Sequence, residues 1–183
     1  ELGDKRGIGI TLNSIGNVHY EKGDLDTALD YFTKSLAIKE ELGDKRGIGI
    51  TLNSIGNVHY DKGDYDKSEE YLEKSLSIKK EIDVGTDELL ATTTSLYITY
   101  KQLSKDYDEK EIYSFIKETE NIEFKTNLHL YQLLKEKSYL ETAYNQIQEK
   151  ADAMEDELKE KFISYPIPKQ IIEEYNKVIK ERI

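Results

Sequence analysis

Cysteine is absent from the 183 residues, which excludes disulfides and thiolate metal sites. Proline occurs only twice, at Pro166 and Pro168, so almost nothing interrupts a helix. Basic residues are in deficit: 26 Lys and Arg face 37 Asp and Glu, for a net charge of −11. Nucleic acid needs clustered Lys and Arg against its phosphates, and an anionic bilayer surface needs the same, so neither is an expected partner. A neutral or basic protein or peptide is what such a field steers in, rather than an acidic one. The competing reading is that the charge only keeps an elongated chain soluble. No apolar run approaches the ~20 residues that span a bilayer, and a cytoplasmic setting is expected. The chain begins at Glu1 rather than Met and is read as a piece of a longer protein. Hydrophobic content is also low, at 37%. A compact sphere needs more than that; an array whose units bury only their contacts with neighbours needs less.

What the chain does have is repetition. Residues 1–20 and 41–60 are identical, and residues 21–40 and 61–80 agree at half of their positions, so the period is forty. Gly-Asp recurs twice as often, at Gly3-Asp4, Gly23-Asp24, Gly43-Asp44 and Gly63-Asp64. Glycine just past a helix end takes the left-handed conformation that closes it, and aspartate next to it caps the following helix. Each Gly-Asp therefore reads as a stop and a restart. The intervening stretches have helical spacing: Leu12, Ile15, Val18 and His19 lie on one side of the first helix, and Ala28, Tyr31, Phe32, Ser35 and Leu36 on one side of the second.

These residues carry a resemblance. Leu12, Ile15-Gly16, His19, Ala28 and Phe32, and in the second copy Leu52, Ile55-Gly56, His59, Ser68 and Leu72, resemble the tetratricopeptide pattern. The forty-residue period is similar to the variant of kinesin light chains, Leu-Gly-Asn repeat adaptors and prokaryotic signalling proteins. The resemblance implies an all-α, right-handed superhelical solenoid of antiparallel helix pairs. Gly16 and Gly56 are expected where paired helices approach closely. Three units are expected over residues 1–120 (1–40, 41–80 and 81–120), with inner helix 86–104 and outer helix 106–119 in the third. Residues 121–183 are expected to form a degenerate fourth unit and a capping helix at about 168–182, amphipathic through Ile171, Ile172, Tyr175, Val178 and Ile179. The whole is read as one continuous array cut from a longer one. Its first inner helix is then expected to expose an apolar side and to favour self-association through residues 5–40.

No catalytic constellation appears. His19 and His59 could in principle approach a metal from adjacent helices, but half-buried packing is the simpler role. Gly7 and Gly9 lack the preceding strand and following lysine of a phosphate loop. The chain is expected to be no enzyme and to hold no cofactor or metal. One constellation points to binding. Asn13, Asn17 and Tyr20 fall at i, i+4 and i+7, and Asn53, Asn57 and Tyr60 repeat them. The resemblance places inner helices along a concave groove, where amide side chains can grip the backbone of an extended peptide. Tyr97 and Tyr100 of the third inner helix are expected to extend this wall. The competing role for the asparagines is support of neighbouring backbone. The expected function is recognition of a protein or peptide segment in the groove. A regulatory or sensor segment of a larger signalling protein, with its output domain elsewhere, is the alternative, and a spacer without ligand the third reading.

Overall fold

The structure is a computed structural model that describes residues 2–179, and among these it is all-helical. The first unit extends to Thr119 and the second starts at Glu120. The first holds α1 (Leu2–Glu21), α2 (Leu25–Glu41), α3 (Lys45–Asp61), α4 (Tyr65–Glu81), α5 (Thr86–Gln102) and α6 (Glu109–Ile116). The second holds α7 (Phe124–Leu134), α8 (Lys137–Asp152), α9 (Asp156–Ile163) and α10 (Pro166–Val178).

The Gly-Asp turns explain the pairing in the first unit. Gly23, Gly43 and Gly63 have φ of +81°, +65° and +79°, a region in which a side chain would collide with the next carbonyl. The Asp24 amide donates to His19 O and the Gly23 amide to Tyr20 O, which satisfies the last carbonyls of α1; Asp64 and Gly63 do the same for α3. Asp24 and Asp44 then accept from the Thr27 and Gly47 amides to start α2 and α3. Gly3-Asp4 departs from this expectation and lies inside α1, there being no described helix before it to close. The turn after α4 carries Asp83 at φ +50° and an additional residue, so α5 is capped by Gly85, one residue later than the forty-residue period requires. Asp108 rather than Asp106 caps the next helix, which leaves α6 with eight residues instead of the longer span expected.

Packing follows the motif. Ala28 and Phe32 of α2 are fully buried with Ile55 and Val58 of α3, and Ser68 and Leu72 of α4 are fully buried at the matching positions. A Cβ on Gly16 would lie 2.6 Å from the Phe32 ring, and one on Gly56 2.6 Å from Leu72 Cγ, so both glycines sit at helix crossings.

The second unit has its own core of Leu128, Leu140, Ala143, Ile147, Ala151, Phe162 and Ile171. Helix α10 begins at Pro166, two residues before the expected start, because proline is tolerated in the first turn where no amide donor is needed. It lays Ile171, Ile172, Tyr175 and Val178 against this core and stacks Tyr175 on Tyr144 with centroids 3.8 Å apart. The end of the expected capping helix, 180–182, lies outside the described residues.

Candidate functional site

The inner helices α1, α3 and α5 touch one another as well as their outer partners. What joins them is a set of polar rungs. Ser35 Oγ donates to Gly9 O at 2.7 Å, and Ser75 Oγ to Gly49 O at 2.7 Å, both buried. A Cβ on Gly9 would meet Ile38 at 3.3 Å and one on Gly49 would meet Lys79 at 3.3 Å, so the glycines let the outer helix close onto the backbone. Lys39 is 5% exposed; its Nζ donates to Thr51 Oγ1 at 2.7 Å and to Asn13 Oδ1 at 3.3 Å. Thr51 Oγ1 also lies 2.8 Å from Asn13 Oδ1. Lys79, 4% exposed, repeats the first bond one unit on, donating to Thr92 Oγ1 at 2.8 Å. Burial lowers the affinity of both ammonium groups for their proton, offset in part by Asp44 for Lys39 and by Glu88 for Lys79.

The asparagine ladder divides on this frame. Its first rung is internal: Asn13 is 8% exposed and holds Lys39 and Thr51. Tyr20 is half-buried and bonded to Asp61 at the end of α3; burial first and then that carboxylate push its phenol well up. Tyr60 accepts from Gln102 Nε2 at 3.3 Å, the matching position at the end of α5, and lies against Tyr65. Asn53 is half-buried with its Oδ1 enclosed and unpaired, because Lys79 turns instead toward Thr92 and Glu88. Asn17 is exposed and Asn57 half-buried.

Tyr97 and Tyr100 do not continue the ladder. With the additional residue before α5, Gly85 stands where Asp44 does and Thr92 where Thr51 does. Tyr97 therefore takes the place of Gly56, and Tyr100 that of His59. Tyr97 is buried, stacks on Tyr100, lies tilted against Tyr107, and its hydroxyl donates to Glu111 of α6. Tyr100 donates to Glu73 of α4 at 2.7 Å under the Lys105 ammonium. Burial, then the acceptor carboxylate, raises both phenols. They face the outer helices.

His19 and His59 stack on Tyr31 and Tyr71, with centroids 5.6 and 5.4 Å apart, and each lies near the capping aspartate of the next helix. Among the described residues no group of three or more His, Cys, Asp or Glu could hold a metal ion. A cavity of about 570 Å³ opens elsewhere, among α2, α3 and α4, lined by Leu36, Ile48, Leu52, Tyr71, Lys74 and Ile78. Neither this cavity nor the buried lysines were anticipated. The signal was present in the recurrence of Ser35/Ser75 and Lys39/Lys79 at the period of forty.

Residues 7–81 match the family model of the tetratricopeptide repeat, a span that runs from within α1 to the end of α4. Residues 7–81 are tetratricopeptide repeats. Solved structures extend the fold likeness to most of the chain. The nearly identical TPR-like repeats of a candidate kinesin light chain from Podosopora anserina superpose with a TM-score of 0.51 at 12% identity, covering 92% of this chain and 75% of that one. A single-substitution variant of the same protein gives 0.50 at 12% identity, covering 94% and 77%. No curated protein matches significantly in sequence. Tetratricopeptide repeats generally mediate protein–protein interaction. Among the described residues no helix is long and apolar enough to cross a membrane.

Proposed function

We propose that the tetratricopeptide repeats of this chain grip an extended protein segment along the inner helices α1 and α3, with Asn17 and Asn57 as the central contacts and Tyr60 and Asn53 beside them. The observation that carries this reading is the division of the ladder. Asn13 and Tyr20 are consumed by bonds between helices, whereas Asn17, one turn from each, points to solvent and recurs as Asn57. Packing alone gives no reason for an amide there, and an amide offers both donors and an acceptor to a peptide backbone. The acidic surface favours a neutral or basic segment. A cytoplasmic scaffold or the sensor segment of a larger signalling protein would both use such a groove.

Selection of displayed peptides, followed by calorimetric titration of a selected sequence, tests this. Asn17→Ala with Asn57→Ala should weaken binding roughly 5- to 150-fold, since each neutral hydrogen bond contributes about 0.5–1.5 kcal/mol and each 1.4 kcal/mol is tenfold. Glu70→Gln on the outer helix should change little, as Glu70 is exposed and its ion pair is with Lys74 of the same helix. A second reading rests on the cavity among α2, α3 and α4, which lies between outer helices. If Leu36→Ala abolishes binding and the asparagine pair does not, the ligand sits there and the inner-helix reading fails.

A further inference from the structure

Outer helices α2 and α4 start after Asp24 and Asp64, so their positions correspond at a spacing of forty, and their surroundings can be compared. Between α4 and α6 the place is covered and bridged. Leu76 is 9% exposed, and Lys80 donates to Glu111 of α6 at 3.0 Å. Between α2 and α4 the matching place is the cavity of about 570 Å³. Leu36, the counterpart of Leu76, is only half-buried there. Glu40, the counterpart of Lys80, is exposed and makes no ion pair among the described residues. The neighbouring charges are matched: Glu41 with Lys5, Glu81 with Lys45, and Lys74 with Glu70. An apolar floor of Leu36, Ile48, Leu52 and Ile78 therefore lies open beside one unmatched carboxylate.

We propose that this groove is a second binding site, for an extended segment of a partner protein that carries a bulky apolar residue and, two positions away, a lysine or arginine. The apolar side chain enters among Leu36, Ile48, Leu52 and Ile78, and the cation pairs with Glu40. The spacing of two follows because alternate side chains of an extended chain share a face. A helix is too thick for the groove: one turn, ~5.4 Å long and ~10 Å across, would take up most of the volume. The hydroxyls of Tyr71 and Ser77 on the wall make no hydrogen bond among the described residues and can bond the segment's backbone. The net charge of −11 draws in the same kind of segment. The site is separate from Asn17 and Asn57 and stands whether or not those residues bind.

The probes are the peptides acetyl-Leu-Ser-Arg-amide and acetyl-Leu-Ser-Glu-amide, titrated to millimolar concentration into the whole chain and read by the methyl NMR signals of Leu36, Ile48, Leu52 and Ile78. The arginine peptide should shift these signals saturably and bind roughly two- to fivefold tighter than the glutamate peptide, the scale of an exposed ion pair. Glu40→Lys should reverse that order; Glu40 is exposed, so circular dichroism should match the parent. Ser77→Phe, also at an exposed position, should fill the groove and abolish the shifts from both peptides. Asn17→Ala with Asn57→Ala should leave them unchanged. No shift from either peptide, an order that Glu40→Lys leaves as it was, or shifts that survive Ser77→Phe overturn the proposal. Loss of the shifts in the asparagine variant overturns it as well, by moving the peptide to the inner helices, whereas failure of the inner-helix reading leaves the groove result standing.

Discussion

Two kinds of residue control this molecule at the smallest scale. The first is the crossing glycine. Gly56 meets Leu72 so closely that Cβ placement would put 2.6 Å between carbon atoms. Gly56→Leu should therefore cost about 1–3 kcal/mol through overpacking, seen as a lower unfolding midpoint by circular dichroism; an unchanged midpoint would mean the crossing can open freely. The second is the buried polar group. Lys39→Ala removes the ammonium's bonds to Asn13 Oδ1 and Thr51 Oγ1, which keep only their bond to each other and that of Thr51 to Gly47 O, and removes a packed stem; it should cost about 1–3 kcal/mol. Lys39→Met keeps the stem and should recover part of it. His129 is buried in α7, and burial lowers its pKa to about 3. Its ordinary value is about 6.5, so between about pH 6.5 and 3 the unfolded chain binds a proton that the folded chain refuses. Stability from this group is therefore present above pH 6.5 and is lost as pH falls, by up to about 1.4 kcal/mol per pH unit. His59, lowered chiefly by burial and raised in part by Asp64, acts in the same direction. Urea unfolding between pH 7 and 5, where few carboxylates titrate, should show this slope, and His129→Gln should flatten it.

At the level of whole helices, burial depends on the neighbour and not on the sequence. Val58→Ala should destabilise by about 1–2 kcal/mol because it leaves a cavity beneath α2, whereas Val18→Ala, in the same sequence context, should stay within about 0.5 kcal/mol. Equal losses would contradict the docking of α2 on α3. Helix positions themselves were legible from the chain, because the Gly-Asp turns are local: φ near +65° to +80° and the aspartate cap need only adjacent residues. The third pair was less legible. A single additional residue before Gly85 moves Tyr97 onto the Gly56 position, and a tyrosine there cannot give the close approach that a glycine does. The partner helix α6 is correspondingly short, with Ile112 as its buried residue.

Over the whole molecule, the near-consensus pairs and the short α5–α6 pair should differ in stability, since linear arrays open at their weakest unit. Hydrogen exchange should be faster in α6 than in α4; equal protection would show that the eight-residue helix is held as firmly as the seventeen-residue one. The repeat period, the all-helical character and the tetratricopeptide likeness are all legible in the amino-acid order, because each follows from spacing along one chain. The asparagine ladder is legible as a pattern, but its division into internal and open members is not. Asn13 is internal only because Lys39 and Thr51 arrive from two other helices, and a lysine carries no local sign that it will be buried.

The identical segments 1–20 and 41–60 draw the boundary between the two kinds of information. Sequence alone determined that both are helical and amphipathic, with small residues at the same places, because propensity and periodicity act within a turn or two. Only the tertiary structure decided that Val58 lies in the core beneath α2 and that Gly47 lies against the stem of Lys39. The physical reason is that burial is a property of pairs: a side chain leaves water only when another helix covers it, and that helix is written elsewhere in the chain.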